Sequence, residues 1–428
     1  MAQETADVLV VGAGLAGLHT ATLLAERGHD VLLVDRRTSL AGAIRTTGIF
    51  VRKTLDDFPL PPDCLGPPIR RVVLYPPDLR RPVDLVSERD EYRVGNMAPL
   101  YLAAARAAAD AGVRIALGTR YAGRGGDGHL VVGPDGPTRV RARFVVGADG
   151  ARSRVARDLG LDRNDHLLVG AEEVFAVPPG AEPPTFRCVL DPSLAPGYLA
   201  WVVNDGRHAH VGVAGYAHRF PDGLRRAVTR FAASAPGLAG VERPDQVERR
   251  GGPIPVGGLL RRIGCPDGLL VGDAAGAVSP LTAGGLDPCL RLSEHAADVL
   301  DDALRAGRPD LLARYDGAAL RASFRGRLLL RQGWPRCAPR PWRLGRSPCC
   351  ARRSGGLRPA ASSSATAPSP PQAERRRPRG RQVVRRRRSS SHSQPARARG
   401  TARNAVIAGT VPKTEPSQAS SSGVPKPA

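Results

Sequence analysis

The first 35 residues constrain the fold of this chain more than any other stretch. Residues 7–11 form a short apolar run, and residues 15–27 carry apolar side chains at helical spacing, with Gly28 in the position of a C-cap. A second apolar run, residues 30–34, ends at Asp35. Continuous apolar runs of this length are typical of strands buried in a parallel sheet. The segment is therefore predicted to form a strand–turn–helix–strand unit.

Three glycines occupy the turn between the first strand and the helix, in the pattern Gly12-x-Gly14-x-x-Gly17. In a dinucleotide-binding unit the first glycine permits the tight turn, the second lets the backbone approach a pyrophosphate, and the third lets the helix pack closely on the sheet. Asp35 can accept hydrogen bonds from the adenosine ribose, and it disfavours a 2′-phosphate because two anions repel. The binding residues predicted from this unit are Gly12, Ala13, Gly14, Leu15, Ala16, Gly17, Asp35 and Arg36. This pattern leaves FAD and NAD open.

Two later segments also place an aspartate in a turn of small residues after an apolar run. Asp149-Gly150 follows the run at residues 144–146, and Gly272-Asp273 follows the run at residues 269–271. Small residues let a large ligand lie against the backbone, and a carboxylate suits a hydroxylated chain such as ribityl. The later motifs therefore favour FAD.

The ordered motifs VGAGLAG, GADGARSRVAR and LLVGDAAGAVSPLTAGG resemble the FAD-dependent oxidoreductase superfamily of para-hydroxybenzoate hydroxylase and geranylgeranyl reductase. The stretch PGYLAWVVNDGRHAHVGVAG is similar to the substrate-domain hairpin of the geranylgeranyl-reductase branch. The resemblance spans roughly residues 6–330. It implies a bound FAD, with NADPH, NADH or another electron donor as a transient reductant.

The resemblance also implies roles for single residues. Asp273 would contact the ribityl and pyrophosphate region, and Asp149-Gly150 would position FAD and, as in hydroxylase relatives, receive a nicotinamide. Asn96 stands where many relatives have an arginine or glutamine that meets the flavin chain. The segment from Pro280 to Leu286 would place backbone N–H groups and a helix N-terminus beside the flavin. The further cofactor-binding candidates are Arg45, Asn96, Asp149, Gly150, Gly272, Asp273, Pro280, Gly284, Gly285 and Leu286.

The predicted fold class is α/β: a Rossmann-like FAD-binding domain with a three-layer ββα architecture, an inserted and mainly antiparallel substrate domain, and a disordered basic C-terminal tail. Residues 1–165 and 256–335 are assigned to the FAD-binding domain and its C-terminal helices, residues 166–255 to the substrate domain, and residues 336–428 to the tail. The Asn204-Asp205-Gly206 turn predicts a hairpin in the substrate domain.

Three further expectations concern structure outside the motifs. Residues 41–93, rich in proline and arginine, are expected to form excursions on the nucleotide domain. Residues 99–111 and 286–304 are expected to be helices. Residues 310–330 carry apolar side chains at spacings compatible with an amphipathic helix.

The net charge of +23 belongs to the end of the chain. Residues 331–428 hold 22 of the 63 lysines and arginines and only 2 of the 40 acidic residues, so residues 1–330 are nearly neutral. Few apolar residues and repeats of Ser, Pro, Ala and Arg predict disorder there. The tail lacks the interleaved aromatic residues of a single-strand binder, so a nucleic-acid partner is not expected despite its charge. An adventitious extension, such as an out-of-frame read, is favoured over a functional tail.

Seven scattered cysteines and the absence of a secretory signal or a long apolar span predict a cytoplasmic protein. His208 and His210 share one face of a strand but lack a third ligand, so hairpin surface or pocket lining is favoured over a metal site. Cys289 is expected to be a small buried helix residue. For Trp201, pocket lining and core packing remain equally open.

The function predicted from these observations is FAD-mediated reduction of double bonds in an apolar, isoprenoid-like substrate, with possible peripheral membrane contact. An aromatic hydroxylase that uses FAD, a reduced nicotinamide and O₂ is the alternative. A basic binding protein with a vestigial FAD fold is a third reading from a different class. No catalytic residue is singled out by the sequence.

Overall fold

The computed structural model describes residues 2–42, 44–178, 182–238 and 246–333. The helices are α1 (Leu15–Glu26), α2 (Arg52–Asp57), α3 (Met97–Asp110), α4 (Arg154–Asp158), α5 (Leu224–Ala232), α6 (Leu286–Ala306) and α7 (Ala318–Gly333). The strands of the first half are β1 (Ala2–Val11), β2 (Val31–Asp35), β3 (Ile49–Val51), β4 (Leu65–Ile69), β5 (Arg71–Tyr75), β6 (Val83–Val86), β7 (Tyr92–Gly95), β8 (Arg114–Leu117), β9 (Arg120–Gly125), β10 (Gly128–Gly133) and β11 (Gly136–Gly147). The remaining strands are β12 (Leu167–Ala176), β13 (Thr185–Val189), β14 (Ala200–Asn204), β15 (His208–Gly215), β16 (Gln246–Pro255), β17 (Gly264–Cys265) and β18 (Gly268–Leu270).

The first sheet has the order β17-β18-β11-β1-β2-β8, with the β9–β10 hairpin attached to β11. Strands β8, β2, β1, β11 and β18 run parallel, and β2 is buried along its whole length. Helix α1 packs against α3 and α6. A parallel sheet with helices packed beside it confirms the predicted α/β fold class with a Rossmann-like domain.

The parallel register brings the carboxyl ends of three strands to one edge. Val11 pairs with Gly147, and Gly147 pairs with Leu270. In open α/β sheets, ligands bind outside the carboxyl ends of the strands, where the strand order reverses. The three motifs, separated by more than 250 residues of sequence, therefore lie side by side.

The second sheet has seven strands in the order β16-β12-β15-β14-β13-β5-β6. The predicted hairpin is confirmed: β14 pairs antiparallel with β15, and Gly206 in the turn has φ +88°. Strands β5 and β6 come from the first quarter of the chain, and β5 pairs parallel with β13. Part of residues 41–93, which were expected to form excursions on the nucleotide domain, therefore belongs to the other sheet. The sequence did not reveal this, because the pairing of β5 with β13 joins residues that are more than 100 positions apart.

The two faces of the seven-stranded sheet are covered differently. One face carries Val202, Val211 and Val213 and packs on α5. The other face meets the three-stranded sheet β3-β7-β4 through a small apolar cluster around Val94 and Val203. The domain boundaries proposed from the sequence, at residues 165 and 255, stay a prediction.

The predicted helix over residues 310–330 is wrong in its continuity. A 3₁₀ helix at Pro309–Arg314 is followed by a break before α7. Gly317 has φ +66° in this break, and the hydroxyl of buried Tyr315 donates to the carbonyl oxygen of Leu270 at 2.8 Å. The break thus attaches the C-terminal helices to the end of β18.

No helix in the described part of the chain is both long and apolar enough to cross a bilayer. The basic tail, and with it the prediction of disorder, lies outside the described residues.

Candidate cofactor-binding site

The three glycines of the first turn have different steric surroundings. Gly12 has φ +111°, and a methyl group on it would lie 2.3 Å from the carbonyl oxygen of Ala148. A methyl group on Gly17 would lie 1.9 Å from the carbonyl oxygen of Gly12. Gly14 has nothing within 4 Å of the equivalent position. Gly12 and Gly17 therefore permit close packing of the chain on itself, whereas Gly14 leaves open space at the start of α1.

Leu15 and Ala16 form the first turn of α1 and are buried. No side chain caps the N-terminus of α1 at Gly14. An uncapped helix N-terminus offers unpaired N–H groups and the positive end of the helix dipole. This end of α1 is suited to hold an anion such as a pyrophosphate.

Asp35 lies at the carboxyl end of β2, where the sequence predicted it. Its carboxylate accepts hydrogen bonds from the backbone N–H of Ala13 at 2.7 Å and from Arg37, through the backbone N–H at 2.8 Å and the guanidinium at 3.0–3.1 Å. Burial acts to raise the pKa of Asp35, but these hydrogen bonds outweigh it and hold the pKa below its ordinary value. The carboxylate is therefore charged and fixed beside the glycine turn.

The basic residue that pairs with Asp35 is Arg37, which the sequence analysis did not single out. Arg36 is exposed, whereas Arg37 also donates to the carbonyl oxygen of Ala13 at 2.9 Å and lies over the Tyr101 ring at 5.9 Å. The two arginines are adjacent, and only the direction of the chain after β2 distinguishes them.

Asp149 caps the short helix α4. Its carboxylate accepts from Ser153 Oγ at 2.6 Å and from the backbone N–H groups of Arg154 and Val155 at 2.6 and 3.2 Å. Burial raises the pKa of Asp149. Next to it, Gly150 has φ +84° and open space around its α-carbon. The carboxylate thus shapes the turn, and Gly150 leaves the backbone accessible.

Asp273 is placed where two helices begin. A methyl group on Gly285, the N-cap of α6, would lie 3.5 Å from Asp273 Oδ1, and one on Gly272 would lie 2.8 Å from Cβ of Ala16 in α1. Among the described residues no side chain or backbone donor is hydrogen-bonded to the Asp273 carboxylate. Burial raises the pKa of this carboxyl to about 6. The backbone is held from outside, because the Asn164 amide donates to the carbonyl oxygen of Asp273 at 2.8 Å.

The loop from Pro280 to Leu286 leads into α6. Pro280 is buried and Gly284 is exposed. The carbonyl oxygen of Gly284 accepts from the backbone N–H of Ser279 at 2.9 Å, and the Tyr198 hydroxyl donates to the carbonyl oxygen of Thr282 at 2.6 Å. No side chain caps α6 at Gly285. The loop is thus tied to the hairpin strand that follows Tyr198, while the N-terminus of α6 stays open.

Two predicted residues, Asn96 and Arg45, form no side-chain hydrogen bond with these motifs among the described residues. Asn96 is the N-cap of α3; its backbone N–H donates to the carbonyl oxygen of Cys64 at 2.7 Å, and its side chain is exposed. Arg45 is also exposed, near Gly252 of β16. Cys289 is buried in α6, as predicted, and its thiol donates to the carbonyl oxygen of Leu286 at 3.1 Å.

The arrangement fits an FAD. It combines open backbone at Gly14, an uncapped helix N-terminus at α1 and another at α6, and a carboxylate at Asp273 that lacks a protein donor in the described part of the chain. Asp273 is half-buried. A partly desolvated carboxylate without a protein donor is suited to accept hydrogen bonds from a ligand with hydroxyl groups. A dinucleotide with a ribityl chain supplies both hydroxyls and phosphates.

A second set of buried charged residues was not predicted. We call it the Glu172 cluster: Thr47, Glu172, Trp201, Asp205, His210 and Arg250. The Glu172 carboxylate accepts from Thr47 Oγ, from Trp201 Nε1 at 3.0 Å, and lies 3.4 Å from His210 Nδ1 and 3.5 Å from Arg250 Nη1. His210 Nε2 lies 3.0 Å from Asp205 Oδ2.

The Glu172 cluster joins the second sheet to the loop after residue 45. Arg250 donates to the carbonyl oxygens of Thr46 and Thr47 at 3.2 and 3.5 Å. His210 is buried rather than on the hairpin surface, and burial, which lowers its pKa, is outweighed by the Asp205 and Glu172 carboxylates, which raise it to about 9. In the described residues no group of three or more His, Cys, Asp and Glu side chains is arranged to hold a metal ion.

The strand order and the three motifs at one sheet edge define an FAD-binding oxidoreductase of the Rossmann type. Two family models match: an NAD(P)-binding Rossmann-like domain over residues 10–64 and an FAD-binding domain over residues 99–194. The cofactors are therefore FAD and a nicotinamide reductant, as predicted.

The curated relatives narrow the class. The chain is 33% identical over 317 residues to digeranylgeranylglycerophospholipid reductase 1 of Methanopyrus kandleri, covering 70% of this chain and 81% of that protein. It is 28% identical over 334 residues to digeranylgeranylglycerophospholipid reductase of Thermoplasma volcanium, covering 73% and 83%. The chain belongs to the digeranylgeranylglycerophospholipid reductase family, which confirms the predicted resemblance.

Solved structures share the fold. A geranylgeranyl bacteriochlorophyll reductase-like protein from Thermoplasma acidophilum superimposes with a TM-score of 0.70 at 24% identity, covering 78% of this chain and 88% of that chain. The p-nitrophenol 4-monooxygenase of Pseudomonas putida superimposes with a TM-score of 0.60 at 21% identity, covering 78% and 90%. At these identities the likeness concerns the fold alone.

Proposed function

We propose that this chain reduces carbon–carbon double bonds in the isoprenoid chains of a lipid through a bound FAD. The observation that carries the proposal is its 33% identity, over 81% of the relative's length, to a digeranylgeranylglycerophospholipid reductase. The unpaired Asp273 carboxylate at the junction of α1 and α6 supports the cofactor part of the proposal.

We assign the nucleotide half of FAD to the first turn. The backbone at Gly14 and the N-terminus of α1 would hold the pyrophosphate, because they offer open space, N–H groups and positive potential. Asp35, kept charged by Arg37, would accept from the ribose hydroxyls. Gly12 and Gly17 contribute by letting the turn close.

We assign the flavin half to the turn at Asp273 and the start of α6. The Asp273 carboxylate would accept from ribityl hydroxyls, and these donors would offset its burial. When bound, the flavin supplies hydride transfer. Gly285 and Leu286 would direct backbone N–H groups and the α6 dipole at the pyrimidine edge, where reduction places negative charge.

The substrate is expected to be apolar and lipid-like. Tyr198, between the second sheet and the 280–286 loop, and Trp201, on the sheet face that meets β3-β7-β4, would contribute to the wall of its pocket. A peripheral contact with a membrane surface would deliver such a substrate, and no nucleic-acid partner is proposed.

The experiment begins with the visible spectrum of the purified full chain. Flavin gives an absorption band at about 450 nm. FAD is added and the unbound cofactor is removed by gel filtration. Absence of the band from the protein fraction would overturn the proposal at its first step.

The second step distinguishes reductase from hydroxylase. The FAD-loaded protein is reduced without oxygen by NADPH or NADH and then mixed with digeranylgeranylglycerol phosphate. We expect mass spectrometry to show two added hydrogen atoms per saturated double bond. Oxidation of the nicotinamide that requires O₂ and adds oxygen to an aromatic substrate would assign the chain to the alternative.

A further inference from the structure

A buried arginine without an acceptor lies on α7. Arg331 is only 5% exposed, yet its Nε and Nη2 have no hydrogen-bond partner among the residues that the structure describes. Buried guanidinium groups are normally paired, because an uncompensated buried charge is strongly destabilising. The side chain therefore points to a binding partner other than the described protein.

The two unpaired nitrogens form one edge of the guanidinium group. Elsewhere in this chain the same edge binds a carboxylate with both nitrogens at 2.6–3.2 Å, in the pairs Arg71–Asp84, Arg291–Asp287 and Arg308–Asp310. This fork matches the spacing of two oxygens on a carboxylate or phosphate. At Arg331 both nitrogens of this edge lack an acceptor among the described residues.

Two aromatic rings lie beside the guanidinium group of Arg331. Its guanidinium carbon lies 5.7 Å from the Tyr198 ring centre and 5.6 Å from that of Tyr216. Such cation–π contacts attract the charge but supply no oxygen acceptor for the N–H groups. The two rings stabilise the position of Arg331, but they leave its Nε and Nη2 groups without a hydrogen-bond acceptor.

The charge around this position also favours an anion. Arg219 lies over the Tyr216 ring at 5.2 Å, so two guanidinium groups contact one ring. Tyr198 connects the position to the 280–286 loop through its hydroxyl bond to the carbonyl oxygen of Thr282. Arg331 thus lies beside the loop that we assign to the flavin.

We propose that Arg331 binds a phosphate group through its Nε–Nη2 edge and thereby selects a phosphorylated isoprenoid substrate over a neutral one. The choice of a lipid source for the phosphate rests on the proposed function. Free phosphate or a small phosphate ester could supply the same oxygens, so the two sources are separated by experiment.

The kinetic test compares two substrates that differ in one group: digeranylgeranylglycerol phosphate and neutral digeranylgeranylglycerol. In the FAD-loaded full chain, Arg331→Met is expected to raise KM for the phosphorylated lipid about tenfold or more, as loss of a charged hydrogen-bond pair implies. KM for the neutral lipid and the kcat values should stay unchanged. Arg327→Met, an exposed position of the same helix, is the matched control and should change neither KM.

An equal rise of both KM values in Arg331→Met, or no change in either, would overturn the proposal and leave Arg331 as a packing residue. Arg331→Lys keeps the charge but loses the fork, so its KM for the phosphorylated lipid should lie between wild type and Arg331→Met. This variant serves if Arg331→Met does not fold.

A binding test keeps the inference separate from the proposed activity. The melting temperature of the FAD-loaded chain is measured with inorganic phosphate and with glycerol 1-phosphate. Stabilisation of the wild type that Arg331→Met loses and Arg327→Met keeps would support a phosphate site even if neither lipid is reduced. If neither small ligand stabilises the wild type and the kinetic selectivity is also absent, the site is refuted; selectivity without small-ligand binding assigns it to the lipid headgroup alone.

Discussion

Asp273 and Glu172 show two environments for a carboxylate in one molecule, since Glu172 is buried and Asp273 is half-buried. Glu172 is almost fully buried and has polar partners from four parts of the chain; burial acts to raise its pKa, but His210, Thr47 and Arg250 outweigh it and lower it. Asp273 has no donor within the described residues, and burial raises its pKa to about 6. The fold compensates the first charge itself and leaves the second to a ligand.

This difference distinguishes charged residues that stabilise the fold through partners in the protein from charged residues that are available to bind a ligand. Charge networks satisfied inside the protein perturb pKa values as strongly as active sites do, so a shifted pKa alone does not locate a functional site. The informative feature is the missing partner. Asp273 and Arg331 share that feature, and both lie beside the loop at residues 280–286.

The largest effect is expected from Glu172→Ala. His210 keeps Asp205 and Arg250 keeps Glu248 in this variant. However, Thr47, Trp201, His210 and Arg250 all lose the same acceptor. We therefore expect a loss of about 3–5 kcal/mol in the free energy of unfolding. Urea denaturation of the FAD-loaded chain measures it. Glu172→Gln, which keeps the shape and one acceptor, is the control and should lose less. A loss below about 1 kcal/mol in Glu172→Ala would show that the cluster is not internally compensated.

The next effect is a dependence of stability on pH. His210 has its pKa raised to about 9, whereas its ordinary value is 6.5, so its protonated form stabilises the folded state below about pH 6.5. That contribution is lost as the pH rises through about 9, and we expect a decrease on the order of 2–3 kcal/mol across this window. Unfolding curves at several pH values should show this slope in the wild type and a flatter one in His210→Gln. Equal slopes would contradict the ion pairs of His210.

A pair of glycine substitutions applies the same comparison to the backbone. Gly17→Ala forces a methyl group against the carbonyl oxygen of Gly12, so a loss of about 1–3 kcal/mol in stability is expected without FAD. Gly14→Ala meets nothing within 4 Å, so stability without FAD should be unchanged while FAD affinity falls about tenfold. Thermal unfolding and flavin titration measure the two quantities. Unchanged FAD affinity in Gly14→Ala would remove the pyrophosphate from this turn.

The smallest effect on stability, with the opposite sign, is expected from Asp273→Asn. A carboxyl whose pKa is raised in the folded state destabilises it above that pKa, so the amide should stabilise the FAD-free chain by about 1–2 kcal/mol at pH 7. The gain should shrink as the pH falls from 6 towards 4, where the wild-type carboxyl is protonated. FAD affinity should decrease in the same variant. A variant that is less stable at pH 7 would mean that Asp273 is internally compensated after all.

The sequence predicted that the three motifs each follow a strand of one parallel sheet, because the information for this is local. Their role in binding FAD stays a prediction. Each motif consists of an apolar strand followed within a few residues by glycines or an aspartate, and the parallel sheet places all strand ends at one edge. The positions of Asp35 and of the turn at Asp273 follow from that rule. The burial of Cys289 follows instead from its place in the predicted helix over residues 286–304.

The Glu172 cluster could not be predicted in the same way. Its members lie between residues 47 and 250, and their contacts depend on the register of β12 with β15 and β16. A shift of one residue would turn every side chain of β12 to the other face of the sheet. Arg37 was not singled out for a related reason, since it is next to Arg36 and only the backbone path after β2 brings its side chain to Asp35.

The parallel pairing of β5 with β13 has a consequence for synthesis of the chain. Residues 71–75 pair with residues 185–189, so about 110 residues must be translated between the two partners. At roughly 5–20 residues per second this interval lasts on the order of 5–20 seconds, during which β5 lacks its neighbour on that side. In the first sheet, β11 lacks its partner β18 for a slightly longer interval, because about 120 residues separate the two strands. The nascent chain therefore carries unpaired strand edges for seconds, and we expect its yield in cells to depend on chaperones that bind such edges during translation.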